Sequence, residues 1–183
     1  MSNTIRVLGI SGSLRAKSCN TGLLRAASAL LPEGMEIQFA NLIDLPFFNA
    51  DLAERPAAVE AFFGQLQKAD ALLLACPEYN YSIAPALKNA IDWATRPMGQ
   101  HAMSGKVISL ISSSGGTGGS HMIEQLSTVV TILGNTVINE PNGQIPKGAQ
   151  RISTEGSTSD PSIEELVTAR LQAIIDAVNN LGK

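Results

Sequence analysis

Short apolar runs that alternate with helix-patterned segments constrain this chain more than any other feature. Ala71-Leu-Leu-Leu-Ala-Cys76 is the clearest run, and it has no alternating polar residue. A strand of that composition has to be covered on both faces, which is the condition of a parallel sheet flanked by helices. Ile5, Val7, Leu8 and Ile10 mark a second buried strand, and Lys106-Val-Ile-Ser-Leu-Ile111 a third. Met35 to Asn41 alternates apolar and polar residues, as a strand near a sheet edge does, and Asn135-Thr-Val-Ile138 reads as the last strand.

Helical patterns fill the intervals. Leu23, Leu24, Ala27, Leu30 and Leu31 recur at helical spacing after the cap-type residues Ser18, Asn20 and Thr21. Val59, Phe62, Phe63 and Leu66 follow Pro56, and Leu87, Ala90, Ile91 and Ala94 follow Pro85. Met122 to Leu133 and Pro161 to Leu181 complete the set, while Asn139 to about Asp160, rich in glycine, proline and hydroxyls, reads as a loose surface excursion. Strand and helix thus alternate through the chain. The expected architecture is a three-layer α/β sandwich in one domain spanning residues 1–183, with a five-stranded parallel sheet in the order 2-1-3-4-5.

Composition excludes several function classes. A net charge of −3 without a basic stripe argues against nucleic acid. No apolar run reaches membrane-span length, and the N-terminus leads directly into the first strand, leaving no room for a signal peptide. Two cysteines form no disulfide framework, so a reducing cytoplasm is expected.

Ligands of an open parallel sheet bind outside the carboxyl ends of its strands, where strand order reverses. Three segments leave strand ends with unusual composition: Ser11 to Asn20, Pro77 to Ser82, and Ser112 to Gly119. The first joins a strand to a helix N-terminus, a natural anion seat. Ser11, Ser13, Ser18 and Asn20 can add hydrogen bonds there, and Arg15 a cation. The second carries both tyrosines. The third offers hydroxyls and N–H groups with almost no bulk, so a planar ligand can lie on the backbone. A phosphate at one end and a flat, hydrogen-bonding ring at the other describe a mononucleotide. Neither the dinucleotide fingerprint nor a Walker loop is present, and flavin mononucleotide (FMN) fits best.

Taken together, Gly12-Ser-Leu-Arg-Ala-Lys-Ser-Cys-Asn20, Pro77-Glu-Tyr-Asn-Tyr-Ser82, Leu87-Lys-Asn-Ala-Ile-Asp-Trp93 and the Ser/Gly-rich loop near Gly115 resemble the NADPH-dependent FMN reductase family. That group includes quinone, azo-dye and chromate reductases of flavodoxin-like fold. The resemblance covers roughly residues 5–140. It implies a bound FMN, reduced by NADPH or NADH and reoxidised by a small acceptor such as a quinone, in a homodimer or homotetramer. It also implies that hydride passes from the nicotinamide to flavin N5 with no catalytic side chain, and that one site used in turn gives ping-pong kinetics. Matched position by position, Ser11, Ser13, Arg15, Ser18, Cys19 and Asn20 fall on the phosphate loop. Pro77, Glu78, Tyr79 and Asn80 fall beside the ring through backbone groups, and Ser113, Ser114, Gly115 and Gly116 on the third loop. One departure stands out: Ser120-His121 follows Gly118-Gly119 where some members carry an arginine.

Blander readings accompany several residues. Cys19 fits a small packed residue better than a reactive thiolate, and Cys76 fits the core. His101 and His121 have no partner at ligand spacing, so no metal site is expected. Trp93 suits core or oligomer contact, and the resemblance favours contact. A flavodoxin-type electron carrier that docks to protein partners is the alternative function, although such carriers are typically strongly acidic.

Overall fold

The computed structural model describes residues 4–52, 54–96 and 102–181. His101 lies outside them. The first apolar run is β1 (Ile5–Ser11), and the cap-type residues lead into α1 (Cys19–Ala29). The alternating segment is β2 (Met35–Phe39), followed by α2 (Ala57–Lys68), and the most apolar run is β3 (Ala71–Ala75). A small hairpin, β4 (Glu78–Tyr79) and β5 (Ser82–Ile83), precedes α3 (Pro85–Ala94). The chain then forms β6 (Val107–Ser114), α4 (Ser120–Ile132), β7 (Thr136–Ile138), β8 (Gln144–Pro146) and α5 (Pro161–Leu181).

The main sheet runs β2-β1-β3-β6-β7 with every pairing parallel. This is the expected 2-1-3-4-5 order of the five βα units. The pleat sorts the strand side chains between two cores. Leu8, Ile10, Leu72, Leu74, Ile108 and Leu110 pack with α2, α3 and α4. Ile5, Val7, Leu73, Val107 and Ile111 pack with α1 and α5 on the opposite face. Both faces are therefore buried, as the uninterrupted apolar runs require.

Three features depart from the sequence reading. First, Ser11 and Ser112 to Ser114 belong to strands rather than loops, because their backbones still pair, with Ala75 in one case and with Gln144 to Pro146 in the other. Second, the segment after Asn139 is no loose excursion. It contributes β8, parallel to the end of β6, then a 3-10 turn at Gly148–Gln150, and it buries Ile145 and Ile152. Its anchor is Arg170 of α5, which is 2% exposed and donates to Ser109 Oγ at 3.0 Å and to the carbonyls of Pro141 and Leu110. An arginine on a helix reads as solvated in a sequence, so neither it nor the strand it holds was visible. Third, Trp93 is core. It is 3% exposed, donates from Nε1 to the Pro46 carbonyl at 2.8 Å and meets Phe48 edge-on.

Close backbone approach fixes where this segment lies. Along α1, a Cβ added at Gly22 would overlap the Ser153 carbonyl oxygen. Gly22→Ala therefore sets a helix-propensity gain of about 1 kcal/mol against an overpacking cost of about 1–3 kcal/mol. We expect net destabilisation, read as a lower urea midpoint with unchanged slope. A midpoint at or above that of the parent protein would mean that the 153–154 backbone yields freely.

Candidate cofactor site

A crevice of about 320 Å³ opens over the carboxyl ends of β1, β3 and β6. At one end stands the N-terminus of α1. Ser18 is its N-cap, extended at φ −97° and ψ 123°, and its Oγ accepts from Thr21 N. The Ser18 carbonyl accepts from Gly22 N. Among the described residues no acceptor meets the N–H groups of Cys19 and Asn20, so two donors and the positive end of the helix dipole face the crevice. Ser13 and Arg15 line the same end, and Arg15 has no carboxylate partner among the described residues. The loop is pressed onto β3: Gly12 N donates to the Ala75 carbonyl, and a Cβ at Gly12 would come within 2.7 Å of Cys76 Sγ.

Two predicted members of this loop have supporting roles. Ser11 does not line the crevice; its Oγ sits 2.9 Å from Thr21 Oγ1 and accepts from Ser13 N, shaping the turn. Asn20 lines the crevice, but its side chain is not free for a ligand. Its Nδ2 donates to the Ser113 carbonyl at 2.8 Å and its Oδ1 accepts from Ser113 N at 2.9 Å. Beside it, Cys19 Sγ also points at the Ser113 carbonyl.

Pro77, Glu78 and Tyr79 form the opposite wall. Asn80 does not reach the crevice. With Tyr81 it makes the two-residue tip of the β4–β5 hairpin, both in the left-handed region at φ 49° and 61°. The tip leans away onto α4, where Gln125 Nε2 donates to the Tyr81 carbonyl and Tyr81 meets His121 edge-on. The backbone N–H of Glu78, expected to face the ring, instead donates to Ser114 Oγ at 2.8 Å. Its carboxylate caps α4 from outside, with Oε2 accepting from Met122 N and Oε1 lying 3.3 Å from His121 Nδ1. The N-cap of α4 is Gly119, which has no side chain to do this. His121 is thus a partner of Glu78, and among the described residues no group of three His, Cys, Asp or Glu gathers as a metal site would require.

The third wall is backbone. Ser113, Ser114 and Gly115 line the crevice, while Gly116 lies just beyond it; a Cβ at Gly115 or Gly116 would meet nothing within 4 Å. Ser113 Oγ is a fully buried hydroxyl with no partner among the described residues. It packs against Gly148, where an added Cβ would overlap it, and presents no surface to the crevice. Lys147, Ala149 and Gln150 also line the crevice. Sequence reading missed them because they follow a three-residue strand with a single buried side chain, Ile145. The only available signal was a lysine between Pro146 and Gly148.

Free helix N–H groups, two hydroxyls and an arginine at one end, with bulk-free backbone at the other, suit a phosphate joined to a flat polar ring. The donor set fits FMN. A flavodoxin-like sheet with this crevice suits a protein that binds a mononucleotide. The chain belongs to the NADPH-dependent FMN reductase family, whose sequence profile matches residues 5–150. It is 41% identical over 177 residues to an NAD(P)H-dependent FMN reductase of Pseudomonas aeruginosa, covering 95% of each chain. Against an NADPH:quinone oxidoreductase of Arabidopsis thaliana the identity is 37% over 179 residues, covering 93% of this chain and 88% of the relative. Among solved structures it superimposes on FerB, a flavoenzyme NAD(P)H:(acceptor) oxidoreductase of Paracoccus denitrificans, with TM-score 0.86 and 29% identity. That match covers 96% of this chain and 98% of FerB. A WrbA-like flavodoxin of Agrobacterium tumefaciens shares the fold at TM-score 0.64 and 13% identity, covering 97% of this chain and 99% of that one.

Two outcomes test the site. Asn20→Asp keeps an acceptor for Ser113 N but sets a carboxylate oxygen against the Ser113 carbonyl and beside the anion seat. It should purify with little flavin, seen as a loss of 450 nm absorbance relative to 280 nm, and lose about 1–3 kcal/mol of stability. Burial pushes the Cys76 thiol up to about 12, so the folded protein should leave Cys76 unmodified by iodoacetamide at neutral pH, as peptide mass mapping would show.

Proposed function

We propose that this protein passes reducing equivalents from NADPH or NADH to quinones or similar small acceptors, using one FMN held in the crevice. The observation that carries the reading is that a single cavity joins the open N-terminus of α1 and Arg15 to the Gly115 backbone wall. When bound, FMN supplies a ring that takes a hydride from the reduced nicotinamide and returns electrons to the acceptor. The protein's residues bind and orient. The N–H groups of Cys19 and Asn20, the hydroxyls of Ser13 and Ser18, and Arg15 hold the phosphate. Pro77 and Tyr79 on one wall and Ser114 and Gly115 on the other would hold the ring.

Glu78 keeps the second wall in place by tying the hairpin to α4. Tyr79, 40% exposed, leaves the mouth of the crevice partly open, so donor and acceptor can use the same face in turn. No protein side chain has to make or break a bond, and ping-pong kinetics follow. The quinone assignment draws on relatives named as quinone oxidoreductases, one from potato at 38% identity over 97% of this chain.

The chain acts as one unit over residues 1–183, in the cytoplasm, as a homodimer or homotetramer. Exposed Ile43 and Phe47 between β2 and α2 favour self-association. Among the described residues no helix is long and apolar enough to cross a membrane. A carrier that meets only protein partners would use a strongly acidic face, and a net charge of −3 gives it little.

Anaerobic NADPH should bleach the oxidised flavin band within a catalytic cycle, and a quinone should restore it. Initial rates with both substrates varied should give parallel double-reciprocal lines. Intersecting lines would overturn the alternating use of one site. A flavin reduced by dithionite but not by either nicotinamide nucleotide would favour the carrier.

A further inference from the structure

The crevice carries a second cation on an element that the phosphate loop does not include. Lys147 stands at the end of β8 in the left-handed region, at φ 55°, where a lysine is seldom found. It is held there by its surroundings. Its N–H donates to the Gly115 carbonyl at 2.9 Å, and its carbonyl accepts from Gln150 N at 3.0 Å. The next residue can only be glycine, since a Cβ at Gly148 would overlap Ser113 Oγ. Arg151 Nη1 fixes the Pro146 carbonyl from the other side.

The position of this lysine follows from a chain of contacts. Asn20, in the first turn of α1, grips both backbone groups of Ser113, and the other side of Ser113 carries Gly148. Lys147, bonded to Gly115 and next to Gly148, therefore lines the cavity that the open end of α1 and Arg15 also line. Its ammonium has no carboxylate partner among the described residues. The one acidic residue lining the cavity is Glu78, whose carboxylate is engaged by Met122 N and His121 on the α4 side. A chain with net charge −3 thus lines this cavity with two cations and one engaged carboxylate. A phosphate monoester carries a charge of about −1.5 to −2 at pH 7, more than Arg15 alone neutralises.

We propose that Lys147 is a second cationic ligand of the FMN phosphate, closing over it from β8 opposite Arg15. The inference rests on the placement of that phosphate at the N-terminus of α1. It predicts a selective effect: Lys147 favours flavins that carry the phosphate and is indifferent to those that lack it.

The test is titration of flavin-free, full-length protein with FMN and with riboflavin, following quenching of flavin fluorescence. Lys147→Gln keeps length and removes charge, whereas Lys147→Arg keeps charge. The Gln variant should raise the Kd for FMN about tenfold at low salt, leave the riboflavin Kd unchanged, and lose most of that difference at high salt, where the charge is screened. The Arg variant should restore FMN binding. An unchanged FMN Kd, or equal weakening of both flavins, would overturn the proposal, the second result making Lys147 a wall residue. A raised KM for NADPH with unaltered FMN binding would overturn it in favour of a donor contact. Parent protein that bound riboflavin as tightly as FMN would instead remove the placement of the phosphate itself.

Discussion

The Asn20 side chain holds the site together. One amide, 1% exposed, takes the N–H and the carbonyl of Ser113 at 2.9 and 2.8 Å and so joins the first turn of α1 to the end of β6. Buried backbone groups at a strand end cost dearly when unpaired, and the β3 pairing of β6 ends at Ile111, short of Ser113. The same two bonds set the separation between the helix terminus that can hold an anion and the backbone wall that can receive a ring. The clamp also seats Gly148 against Ser113, which delivers Lys147 and Gln150 to the crevice. Changing this residue would loosen three walls at once.

Much of this was legible in the chain. Uninterrupted apolar runs such as Ala71 to Cys76 admit few alternatives to a covered parallel sheet, and the five βα units follow from them. Eleven of the fourteen proposed ligand residues line the crevice, because strand-end loops of this composition are forced to its rim. Hydrogen-bond partners were not legible. Glu78, Ser114 and Asn20 have the residue types of ligand contacts, and each spends groups on the scaffold instead. Composition shows what a side chain can offer, whereas only the fold shows what has already been taken.

The segment from Gly143 to Gln150 illustrates a second limit. β8 has one buried apolar side chain, and its place depends on glycines that allow contact and on buried Arg170, whose guanidinium reaches Pro141, Leu110 and Ser109. Arg151 adds a pair with Asp160 and a bond to Pro146. Hydropathy cannot report a strand secured by guanidinium groups. The residues it carries were therefore invisible, although they complete the site.

The Glu78 cap on α4 has a consequence for how such a protein can diversify. Because the hairpin is tied to α4 at Met122, His121 and Gln125, the wall beside the open mouth and the helix behind it form one stiff body. Breadth of acceptor choice here would come from an unlidded mouth rather than from a pliant one. New selectivity could then arise by adding or trimming bulk at an exposed rim position such as Tyr79, while the frame beneath it stays untouched.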